Sequence, residues 1–100
     1  MNPIRHIPFL LALLALATST QVLADAKRGK VLHDQHCIGC HANMTGGKPE
    51  LLYTRHDRRV KDLAGLHRQV RRCEQNLELK WFDEDLNSVV EYLNSSYYHF

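Results

Sequence analysis

The run Cys37-Ile38-Gly39-Cys40-His41 decides how this chain is read. It spells C-x-x-C-H, the attachment pattern of a c-type haem. At that spacing two thiols reach the two vinyl groups on one porphyrin edge and form thioethers. The next imidazole then turns under the iron as the proximal ligand. On this reading Cys37 and Cys40 are covalent anchors for one haem c, and His41 binds its iron. C-x-x-C also serves redox-active dithiols and zinc half-sites. A zinc site needs a second pair of ligands at motif spacing, and the one other cysteine, Cys73, has no cysteine partner nearby. A thioredoxin-like dithiol follows a strand and opens a helix. Here a helical pattern leads in, and a polar, Gly-containing loop follows.

Upstream, Arg5 and His6 form a short basic region, and residues 7–17 are almost wholly apolar. Thr18-Ser19-Thr20-Gln21 and the small residues Val22 and Ala24 come next. This is the layout of a secretory signal peptide cleaved after Ala24, with a second small-x-small frame allowing cleavage after Ala26. The apolar run is about half the roughly 20 residues of a membrane-spanning helix, so no stable span is expected after cleavage. The expected organisation is a signal at residues 1–24 and one haem domain at residues 25–100. Haem is attached to such a motif outside the bacterial inner membrane, so both features point to the periplasm. The mature part carries 12 Lys/Arg against 11 Asp/Glu, which gives no reason to expect a nucleic-acid partner. A domain this short buries a thin core and needs a staple, which a covalent apolar plate supplies.

The remaining periodicity is helical. Asp25 is the expected N-cap of a first helix ending near His36, with Val31 and Leu32 on its apolar side and Gly29 open to a close approach. Residues 42–57 lack sustained periodicity, and the breakers around Gly46-Gly47-Lys48-Pro49 predict a loop. Leu51, Leu52 and Tyr53 are expected to make a short turn over the haem edge. A middle helix is predicted from about Arg58 to Arg72, its apolar face carrying Val60, Leu63, Leu66, Val70 and Cys73. His67 lies at the edge of that face. Arg59, Lys61, Arg68, Arg71 and Arg72 form a solvated basic face or a docking patch for an acidic redox partner. After a loop from Glu74 to Lys80, Asp83 is the expected N-cap of a last helix. Its apolar face is Leu86, Val89, Val90, Leu93 and Tyr97. No segment reads as a strand, so the expected fold class is all-α, with about three main helices around the haem.

Gly29-Lys30-Val31-Leu32, the Cys37–Ala42 motif and the stretch from Leu86 to Leu93 together resemble class I cytochromes c. The resemblance implies a compact carrier of single electrons in which the first and last helices cross at a small residue, here Gly29. His33 stands where that family often has Phe or Tyr. The family's distal iron ligand is a Met in the loop before the last helix, and this chain has no Met after Met44. Met44 sits on a three-residue tether from His41, too short to swing easily to the other face. Cys73 and His67 are the leading substitutes, followed by His56 and Asn76, all bearing eligible ligand atoms. His36 and His99 read as surface residues.

The expected function is a periplasmic electron carrier working with redox partner proteins and having no catalytic residues of its own. Two alternatives stand beside it. One is a gas-binding or redox-sensing haem protein with an open or displaceable sixth position. The other is the haem subunit of a larger oxidoreductase.

Overall fold

The computed structural model describes the backbone of residues 7–100 and the side chains of residues 21–100, Ala24 excepted. The basic pair Arg5 and His6 lies outside the described residues. The elements among them are all helices, with no strand: α1 Ile7–His36, α2 Ile38–Met44, α3 Leu51–Thr54, α4 Leu63–Asn76 and α5 Asp83–Leu93. A π-helical turn, Asn94–Tyr98, closes the chain.

The first helix differs from expectation at its start. It runs unbroken through residues 24–26, so Asp25 is interior and caps nothing. The reason is composition: the Leu/Ala run at residues 10–17 is built of strong helix formers, and after Pro8 in the first turn no Gly or Pro interrupts the helix before Gly29. α1 ends where Cys37 N–H donates to His33 O at 2.8 Å.

The main packing is α1 against α5. Gly29 makes it possible. A Cβ on Gly29 would lie 1.9 Å from Ser88 O and 2.5 Å from Ser88 C, so the two helix backbones touch. Val89 is 1% exposed on α5, and Leu66 is equally buried on α4. Leu86, Val90 and Leu93 complete the α5 face and join Val60, Val70 and the tyrosines in one core. Arg28 Nη2 reaches Asp85 Oδ1 at 2.7 Å across the crossing. Asp83, Glu84 and Asp85 occupy the first turn of α5, where its dipole favours negative charge.

Helix ends account for the other departures. α4 begins at Leu63 rather than Arg58 because Asp62 Oδ1 accepts from Gly65 N–H at 2.6 Å and caps the helix there. It continues to Asn76, taking in the start of the expected Glu74–Lys80 loop. Asp83 is the first helical residue of α5; Phe82 holds the N-cap position without a side-chain bond. At the C-terminus the π turn inserts an extra residue after Leu93, so Tyr98 turns inward while Tyr97 is only half-buried.

Candidate functional site

The motif begins at the junction of α1 and α2. Cys37 O accepts from His41 N–H at 3.2 Å, which sets the motif on a helical turn. Cys37, Cys40 and His41 are therefore spaced i, i+3, i+4 along one side of that turn. A cavity of about 400 Å³ opens beside it, a volume typical of a ligand site. Cys37, His41, Tyr53, Leu66, Val70 and Cys73 are among its walls. A smaller hollow of about 170 Å³ also borders the motif and shares Cys37, His41, Met44, Cys73 and Leu77 with the first. Cys40 lines only this second hollow and is exposed.

Each wall has a local cause. Leu66, Val70 and Cys73 recur along one face of α4 at helical spacing. Gln69 is one turn before Cys73 and donates from Nε2 to its Sγ at 3.4 Å. Leu79 reaches the cavity from the α4–α5 loop, between Glu78 and Lys80, both at φ 55°. That left-handed conformation costs a non-glycine residue about 1–2 kcal/mol. Arg55, Arg59 and Arg72, all exposed, add three basic residues to the lining.

His41 is oriented by its neighbours. Its Nδ1 is 2.5 Å from the Tyr53 hydroxyl. The same hydroxyl is 2.6 Å from His33 Nε2, and His33 Nδ1 is 3.2 Å from Asp34 Oδ1. Burial lowers the pKa of both imidazoles, so both stay neutral near pH 7. Burial also pushes the Tyr53 phenol far above its usual range, holding its proton in place. The Cys37 thiol is raised to about 11, first by burial and then by nearby Cys73 and Cys40.

The residues expected at the site do not all meet. Cys37, His41 and Cys73 line the main cavity, and so does Met44, although Met44 is 70% exposed. His67 is half-buried on α4 and absent from the cavity wall, rotated away from the face of Leu66 and Val70. His56 is exposed and does not line the cavity; Asn76 borders the smaller hollow. His36 and His99 are exposed, as expected. Tyr53, expected in a turn over the haem edge, lines the cavity, and so does Trp81.

Sequence reading missed two polar roles. Gln69 was findable from its i, i+4 spacing to Cys73. The joint contact of His33 and Tyr53 with His41 had no local signal, because Tyr53 is 20 residues from one and 12 from the other. Among the described residues no cluster of three or more His, Cys, Asp or Glu side chains is arranged to hold a bare metal ion. None of their helices is long and apolar enough to cross a membrane. No protein-family model, no curated protein and no solved structure matches this chain.

Proposed function

We propose that this chain is an exported monohaem c-type cytochrome, resembling class I cytochromes c, that passes single electrons between periplasmic redox partners. One observation carries the reading: Cys37 and His41 line the same ligand-sized, largely apolar cavity, one helical turn apart. The residues fit the group. Cys37 and Cys40 would hold it by thioethers, and His41 would bind iron through Nε2, since Nδ1 is engaged with Tyr53. Bound haem supplies a one-electron couple between ferric and ferrous iron.

The chain's own residues supply the rest. Leu66, Val70 and Val89 exclude water from one side of the cavity. Arg55, Arg59 and Arg72 offer positive charge to carboxylates from the lining. Of the two leading candidates for a further iron ligand, Cys73 lines the cavity and His67 does not, so Cys73 would be the better placed to bind. Cleavage after Ala24 or Ala26 and delivery to the periplasm belong to the same proposal, on the signal-like N-terminus.

The test is expression alongside a c-type maturation system. Haem that stays with the chain after denaturation is expected for the native sequence, and Cys37→Ala with Cys40→Ala should abolish it. Recovery of the native chain without covalent haem would overturn the proposal. Reduced spectra with and without carbon monoxide then separate the two haem readings. An unchanged spectrum fits a carrier with both axial positions filled, and a rapid change favours the gas-binding alternative.

A further inference from the structure

The side chains behind His41 form a directional chain whose proton positions follow from the donor and acceptor inventory. Asp34 is an acceptor-only carboxylate, so the His33 nitrogen facing it, Nδ1, carries the ring proton. A neutral His33 then presents a lone pair at Nε2, and the Tyr53 hydroxyl donates to it. The hydroxyl has one proton and has now used it, so the oxygen must accept from His41 Nδ1–H. That leaves the lone pair of His41 at Nε2.

The geometry points to Asp34, His33 and Tyr53 as a positioning relay that locks His41 as its Nδ1–H tautomer and sets the donor strength of Nε2 toward iron. This rests on the proposed function and adds to it the residues that tune the ligand. A ligating imidazole whose other N–H is held by an acceptor is fixed in orientation and made more basic. Tyr53 is well held for that task. It is 5% exposed, and its ring packs edge-on to both imidazoles, with centroids 5.7 Å from His33 and 5.6 Å from His41. Arg58 Nη1 donates to its backbone O at 3.0 Å, anchoring the short helix α3 from behind. His33 is 3% exposed and sits within α1, so the relay is built on the longest helix. A Phe or Tyr at position 33 would not continue the chain to Asp34.

The experiment uses haem-loaded protein, with covalent attachment confirmed first. Tyr53→Phe removes the acceptor and keeps the ring. A more basic Nε2 favours ferric iron, so its loss is expected to shift the balance about tenfold toward ferrous. For a one-electron couple that is about 59 mV more positive. The His41 ring resonances should move with it. Asp34→Asn, at an exposed position, removes the charge and should shift the potential the same way by less. A purely structural tyrosine would lower the melting temperature of Tyr53→Phe while leaving potential and ring resonances unmoved. That result, with haem attached, overturns the relay and spares the proposed function. No covalent haem in the native chain overturns both.

Discussion

The α1–α5 crossing and the cavity beside α2 are opposite solutions to packing in one small chain. At the crossing, Gly29 and Ser88 bring two backbones into contact and leave no room for a methyl group. At the cavity, equally apolar side chains stand apart around about 400 Å³. Both regions draw on the same core, since Val89 is packed beside the crossing and also lines the cavity. The contrast teaches that the open space is not general looseness. One side of α5 is clamped, and the other is held away from the motif.

The sharpest way to break the comparison is Gly29→Val. The side chain cannot fit without separating α1 from α5, so a loss of about 3 kcal/mol or more is expected in denaturant unfolding. Gly39→Ala is the contrast, because a Cβ there meets nothing within 4 Å. It should be neutral or raise stability by up to about 1 kcal/mol. On the open side, Val70→Phe should raise the stability of the chain without haem by about 0.5–2 kcal/mol by filling space. On the proposed function, the same variant should accept less covalent haem. If it unfolds the chain instead, the cavity is tighter than its walls indicate.

Asp62→Ala tests what positions α4 against that space. Loss of the 2.6 Å cap bond to Gly65 should cost about 1 kcal/mol, seen as a lower melting temperature. The smallest expected effect concerns pH. Burial holds His33 below its ordinary value of 6.5, and nearby Lys30 adds slightly, while Asp34 opposes both. The unfolded chain therefore takes up the proton first, so this contribution to stability is complete above pH 6.5 and declines as pH falls below it. Unfolding curves between pH 7 and 5 should show that slope, and His33→Phe should flatten it.

Much of the crossing was legible because its signals are local. Gly29 marked a place for close approach and the i, i+3, i+4, i+7 pattern from Leu86 to Leu93 marked a packed face, while the pairing of the first and last helices there was implied only by the resemblance to class I cytochromes c. The motif was legible for the same reason, since three residues within five positions define it. What was not legible depends on distant residues or on one-residue choices. Helical spacing pointed to Tyr97 as the last residue of the α5 face, and the π turn buries Tyr98 there instead, leaving Tyr97 half-buried. Asp25 and Asp83 both read as caps, yet neighbouring helix formers and the backbone at Phe82 shift both helix starts. The contact of Tyr53 with His33 and His41 depends on where a loop without periodicity comes to rest. The same uncertainty hides which α4 residues face the cavity, and it is why Cys73 and His67 looked comparable from sequence.

The crossing at Gly29 also bears on the order in which the protein assembles. The bridge beside it joins residues 57 positions apart. Closing a loop of that length costs about 3–4 kcal/mol of chain entropy before any contact rewards it. The local turns of α2 and α4 meet no such barrier, so they can form and dissolve before the crossing closes. The clamp must wait for α5. Until then the thiols of Cys37 and Cys40 lie on a chain not yet locked in place. On the proposed function, the period open to haem attachment would be set by the arrival of the C-terminal helix.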